Sequence, residues 1–221
     1  MQHDSLASLA GQIKVNALKV DLERGFTLKG HEKNPRAPRS PFYLDYSVLH
    51  ELPREHELLR NLARQLYKLI ERRRIRFDCF AGIPNDGVPI AKALAAYYLS
   101  KHNKVVPLLP LIKEETPSGR RIARVGETSI PRGALVLLID DVATGGNSGT
   151  EALDTLRLAS YEVKDLLVTV DRQQGAREHL LKSRVALHSI FGIYDFFSTL
   201  RYHHRLSRET HHAVLKYLAT A

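Results

Sequence analysis

The sequence predicts an α/β protein built on a doubly wound, mostly parallel sheet, and three observations carry that expectation. Runs of strand length recur at Phe77 to Ile83, Val105 to Ile112, Ala134 to Ile139, Lys164 to Val170 and Val185 to Phe191. Stretches with helical spacing of apolar residues separate them, near Val88 to Lys101, Ser148 to Ala159 and Ala176 to Lys182. The most apolar run, Ala134 to Ile139, has no alternation, as a strand covered on both faces requires. Strands and helices taking turns at this spacing imply right-handed crossovers and a binding crevice at the carboxyl edge of the sheet.

Taken in order, a helix around Ser5 to Leu22 leads to a strand at FTLKG and a proline-rich connection, Asn34 to Pro41. A second helix, Arg54 to Arg73, ends in the basic run Glu71 to Arg76, where cations complement the helix dipole and stay solvated. The βα series then opens with Phe77 to Ile83. Within it, Thr116 to Thr128 is polar, holds Pro117, Gly119 and Gly126, and carries Arg120, Arg121 and Arg124. It reads as a mobile connection, expected to act as a basic lid.

A chain of 221 residues with 43% hydrophobic content buries one main core. Cys79, the sole cysteine, sits in the apolar FDCFAGI run and reads as a small buried hydrophobe. With no intrachain disulfide available, and no basic segment followed by a long apolar one, cytoplasmic residence is the default expectation. The net charge of +9 calls for a negatively charged partner. A small polyanionic substrate satisfies it, so neither a membrane nor a nucleic acid is expected as partner. GIPNDGVP lacks the lysine of a P-loop, Ser148 is followed directly by Gly149 and so makes no nucleophile elbow, and the pairs His203–His204 and His211–His212 lack metal-site spacing.

The chemistry concentrates in ALVLLIDDVATGGNSGTEAL, Ala134 to Leu153. An apolar strand ends in Asp140 and Asp141, and Thr144, Gly145, Gly146, Asn147 and Ser148 form a turn ahead of a helix. Unpaired amides and the positive end of the helix dipole favour an anion in that turn, and the hydroxyls of Thr144 and Ser148 add donors. Carboxylates one turn earlier repel a phosphate, so they suit sugar hydroxyls or a divalent cation. Together these features describe a site for a sugar phosphate.

Four or more apolar residues, two acids, two further residues and then TGG resemble the ribose-phosphate motif of type I phosphoribosyltransferases. Three more segments are similar to the orotate phosphoribosyltransferase family: Ala17 to Ser47, Phe77 to Ala95 and Asp165 to Ile193. The resemblance runs from about Ala17 to about Leu200. It implies that Asp140 and Asp141 hold the ribose hydroxyls and that residues 144–148 hold the 5-phosphate. It also implies that Asn85, Asp86 and Gly87 form the pyrophosphate loop, and that Lys29, Phe42, Tyr43 and Arg172 meet the base. Lys113 is the mobile-loop cation that keeps its counterpart, and Arg120 and Arg121 are the candidates to supply further positive charge. The loop departs elsewhere: Thr116 and Ser118 stand where lysine and histidine are expected, Asp86 where some members carry lysine, and Asn147 replaces a hydroxyl residue.

The implied activity is transfer of the ribose 5-phosphate of phosphoribosyl pyrophosphate to orotate, with Mg²⁺ held mainly by substrate near Asp140 and Asp141, in a homodimer. Transfer to another nucleobase, or a non-catalytic sensor of phosphoribosyl pyrophosphate that binds RNA, are the alternatives. The implied architecture is a small hood built from the N-terminal helix and segment, residues 1–50, and an α/β core with C-terminal helices, residues 51–221.

Overall fold

The computed structural model describes residues 2–28, 36–53, 56–115 and 121–220. It divides into two units: Met1–Val48 with Ile193–Ala221, and Leu49–Gly192. The C-terminal helices, expected with the α/β core, therefore pack with the N-terminal segment. Among the described residues no helix is long and apolar enough to cross a membrane.

In the first unit, helix α1 (Gln2–Asn16) precedes strand β1 (Leu18–Val20), which pairs antiparallel with β2 (Phe42–Leu44), Val20 opposite Phe42. The helix expected to reach Leu22 ends six residues sooner, because pairing with β2 takes Leu18 to Val20 into a strand; tertiary pairing overrides a helical pattern. FTLKG makes only a single bridge, Phe26 to Ser40. Helices α6 (Ile193–Tyr202) and α7 (Arg208–Leu218) complete the unit. Phe42 is fully buried, edge-on to Phe197 at 4.8 Å between centroids and to Tyr217 at 6.2 Å.

The second unit holds a four-stranded parallel sheet in the order β3-β6-β7-β8, made of Cys79–Gly82, Leu135–Ala143, Glu162–Asp171 and Ala186–Gly192. Its helices are α2 (Glu57–Arg73), α3 (Gly87–His102), α4 (Asn147–Leu158) and α5 (Ala176–Lys182). The centre of β6 is closed to solvent, with Leu137 1% and Leu138 and Ile139 0% exposed, as a strand covered on both faces must be. Arg72 and Arg73 occupy the last turn of α2, where the dipole favours them.

Two expectations change. Val105 to Ile112 is not a full strand of the sheet: Leu108 bridges Phe80, Phe80 donates to the Pro107 carbonyl at 3.0 Å, and Leu109 donates to Phe80 at 2.8 Å. Pro107 and Pro110 lack the amides a longer ladder needs. The chain leaves the sheet and forms β4 (Leu111–Glu115), which pairs antiparallel with β5 (Arg121–Val125). Arg121 to Val125 of the expected lid thus belong to a β-ribbon, with Lys113 opposite Ala123, and residues 116–120 fall outside the described residues.

Candidate active site

The apolar run of β6 stops at Ile139, yet the strand continues through both acids to Ala143. Backbone pairing needs no apolar side chain: Asp140 stands opposite Val168, Val142 opposite Val170 and Ala143 opposite Asp171. A buried hydroxyl supplements the ladder, since Thr169 Oγ1 donates to the Asp141 carbonyl at 2.5 Å. Asp140 is 9% exposed, and its carboxylate accepts from the Asp141 amide at 3.0 Å.

Burial pushes the Asp140 carboxyl well above the ordinary carboxylate range, and the neighbouring Asp141 charge adds to the effect; Lys113 acts the other way. Burial likewise raises Asp141, its hydrogen bond with Asp140 opposes that, and the Asp86 charge raises it further. Two adjacent desolvated carboxyls do not both ionise readily, so the pair awaits donors or a cation.

Asn85, Asp86 and Gly87 follow β3, which lies beside β6, so the two strand ends open on the same edge of the sheet. The Pro84–Asn85 peptide is cis. A side chain at Gly87 would place its Cβ 2.3 Å from the Ile139 carbonyl oxygen and 3.1 Å from the Asp140 Cα. Only glycine lets this turn lie directly on the acid strand. Asp86 occupies the N-cap of α3 but makes no side-chain capping bond; its Oδ1 lies 3.2 Å from His50 Nε2 instead.

The turn after β6 is held differently. Gly146 caps α4 with φ +84, a left-handed conformation that disfavours side chains, and no side chain caps the helix. No acidic residue lies in the first turn of α4. Thr144 and Asn147 are exposed, Ser148 is half-buried, and a Cβ at Gly145 would meet nothing within 4 Å. A helix start without a side-chain cap, beside hydroxyls and open space, can receive an anion.

Arg172 sits at the end of β7, 4% exposed, and its amide donates to the Ala143 carbonyl at 2.8 Å. The Ala176 amide donates to Thr144 at 3.1 Å, so the next turn braces the cradle. Asp171 fixes that turn by accepting from Gln173 and Arg177.

Lys113 is half-buried on β4, and its charge reaches Asp140. Arg124 on β5 pairs with Glu114, which absorbs part of the basic charge expected of the lid. Arg120 lies outside the described residues, and Arg121 is described only as backbone of β5. Lys29 also lies outside them. Phe42 and Tyr43 belong to the first unit: Phe42 is taken up by core packing, whereas Tyr43 is 40% exposed and has Phe26 at 6.0 Å. Sequence reasoning missed His50, Thr169 and Glu114. Each acts on a residue 10 or more positions away, and only Glu114 and Arg124, on paired strands, left a local signal.

Residues 47–192 match the phosphoribosyl transferase domain family. The chain is 30% identical to orotate phosphoribosyltransferase of Pyrococcus furiosus over 185 residues, covering 84% of this chain and 96% of that one. The chain belongs to the orotate phosphoribosyltransferase family. Orotate phosphoribosyltransferase of Saccharolobus solfataricus is likewise 30% identical, over 92% of this chain and 97% of the relative. The crystal structure of the family member from Aeropyrum pernix superposes with a TM-score of 0.69 at 28% identity, over 88% and 98%. Leishmania donovani UMP synthase gives a TM-score of 0.76 at 26% identity, over 97% of this chain. This chain spans 42% of that protein and 35% of the bovine uridine 5'-monophosphate synthase, to which it is 28% identical. Family membership explains why two acids, a glycine turn and a second glycine loop converge on one sheet edge.

Proposed function

We propose that this chain transfers the ribose 5-phosphate of phosphoribosyl pyrophosphate to orotate, giving orotidine 5'-monophosphate and pyrophosphate. The observation that carries this reading is the Asp140–Asp141 pair, the first buried and the second half-buried, one turn ahead of an uncapped helix start at Gly146. The 30% identity to named orotate phosphoribosyltransferases over most of both chains favours orotate as the acceptor.

Asp140 and Asp141 accept from the ribose 2- and 3-hydroxyls, which restores the hydrogen bonding that burial denies them. Thr144, Ser148 and the amides of residues 145–148 take the 5-phosphate. The Asn85–Gly87 loop receives the pyrophosphate. The anomeric carbon–oxygen bond to pyrophosphate breaks, a carbon–nitrogen bond to orotate forms, and the nitrogen's proton leaves to solvent. The sugar passes through a cation-like state of the kind glycoside cleavage requires, and the adjacent carboxylates favour that charge. Lys113 offsets the charge of the leaving group, Arg120 and Arg121 add to it, and Arg172 meets the carbonyl oxygens of the base.

Mg²⁺ fits the donor chemistry, because Asp140 and Asp141 offer hard oxygens. Among the described residues no three carboxylates, histidines or cysteines cluster into a cage. Asp140 and Asp141 would hold the ion together with the substrate's own phosphate and hydroxyl oxygens, and bound there it would supply charge neutralisation at the leaving group.

A spectrophotometric assay of orotate consumption with phosphoribosyl pyrophosphate and Mg²⁺ tests the reading. Turnover with orotate supports it, whereas turnover only with another base, or binding without turnover, overturns the acceptor or the activity. We further propose a cytoplasmic homodimer; light scattering at assay concentration giving a mass of one chain overturns the dimer.

A further inference from the structure

The leaving pyrophosphate arrives at a loop that carries a carboxylate of its own. Asp86 occupies the position from which an aspartate ordinarily caps a helix by accepting from its first amides. It makes no such bond, and its Oδ1 meets His50 Nε2 at 3.2 Å across 36 residues of sequence. The turn lies against the acid strand, with the position of a Gly87 Cβ only 3.1 Å from the Asp140 Cα. Asp86, Asp140 and Asp141 thus crowd one strand edge, and a polyanion must settle among them.

We propose that His50 is a positioning residue for the pyrophosphate subsite: its imidazole holds the Asp86 carboxylate aside and offsets its charge, so that the Asn85–Gly87 loop accepts a diphosphate. This rests on the phosphoribosyl pyrophosphate site proposed above. An ionised carboxylate only accepts, so the ring nitrogen facing Asp86 is the donor. Among the described residues His50 is the side chain that meets Asp86. It stands at the end of the 3-10 turn Tyr46–His50. Both side chains keep solvent access, 44% for His50 and 31% for Asp86, so an incoming anion reaches them. The Asp86 charge acts on Asp141, so an Asp86 without its partner adds its repulsion to an incoming diphosphate.

A double-mutant cycle decides the matter, with KM for phosphoribosyl pyrophosphate, KM for orotate and the calorimetric affinity for Mg-pyrophosphate as readouts. His50→Ala is expected to raise KM for phosphoribosyl pyrophosphate about fivefold, the upper size for a half-exposed pair, and to leave KM for orotate in place. His50→Lys, which keeps a donor facing Asp86, holds the wild-type value. Asp86→Asn on its own, which removes the opposing carboxylate, strengthens pyrophosphate binding, and His50→Ala/Asp86→Asn binds more tightly than His50→Ala alone, within about twofold of wild type. An unchanged KM in His50→Ala, or a double variant as weak as His50→Ala alone, overturns the proposal. A wild-type chain that binds no phosphoribosyl pyrophosphate overturns the functional reading and this inference with it. Wild-type turnover with a flat cycle overturns the inference alone.

Discussion

The two strand-to-helix turns that frame the crevice achieve their shapes by opposite means. After β3, Gly87 is pressed onto the backbone of β6, with no room for a methyl group beside the Ile139 carbonyl. After β6, Gly145 faces open space and Gly146 adopts a left-handed φ with only ordinary contacts around it. The first turn is fixed by packing against its neighbour and the second by its own backbone conformation. A packed turn resists change in the absence of ligand, whereas a turn of free amides is completed by the anion it binds.

The largest effect tests what lies between the turns. Asp140→Asn or Asp141→Asn is expected to lower kcat/KM about 10²- to 10³-fold, because an amide cannot serve as a charged acceptor for the ribose. Stability moves the other way. Asp140 is held above its ordinary range by burial, so the stability linked to its protonation is complete below about pH 3.9 and drains as pH rises through the raised value. Calorimetric melting from pH 4 to 8 is expected to show wild type losing stability towards neutral pH and Asp140→Asn losing less. Parallel curves contradict the buried-acid account.

Gly87→Ala comes next, with a cost of about 3 kcal/mol in denaturant unfolding, because the added carbon meets backbone rather than a flexible side chain. A cost below about 1 kcal/mol shows that the first turn is not fixed by packing. Gly146→Ala is expected to cost about 1 kcal/mol through its left-handed φ. Gly145→Ala is expected to leave the melting temperature unchanged while weakening phosphoribosyl pyrophosphate binding, since its Cβ enters the space the phosphate takes. Equal losses of stability at Gly145 and Gly87 erase the contrast between the turns.

The smallest effect concerns the brace between strands. Thr169→Val removes the donor to the Asp141 carbonyl and is expected to cost about 1 kcal/mol, with Thr169→Ser restoring most of it. Activity is expected to fall with stability in the valine variant, because that bond anchors the backbone of Asp141.

Much of this site was legible from local order along the chain. An apolar run, two acids and TGG give the order strand, turn and helix start that the structure has, because these are contiguous in sequence. The end of β6 was not legible, because the strand is continued by pairing with β7 after its apolar side chains stop. The β4–β5 ribbon was hidden by polar composition, although two short segments flanking a stretch with Pro117 and Gly119 carried a hairpin signal. The C-terminal helices were assigned to the core since Phe196 and Phe197 announce burial without naming a partner; Phe42, far earlier in the chain, is that partner for Phe197. His50 and Thr169 gain their roles from residues 36 and 28 positions away, which no periodicity encodes.

The shared burial of Asp140 and Asp141 has a thermochemical consequence. Carboxyls raised by burial keep a proton to higher pH than ordinary ones, while the sugar's hydroxyls demand bare acceptors. Within the pH range where that proton is still held, uptake of the sugar ejects hydrogen ions into the medium. The heat measured on titration will then track the ionisation enthalpy of whichever buffer is chosen, and affinity will tighten as the solution becomes more alkaline.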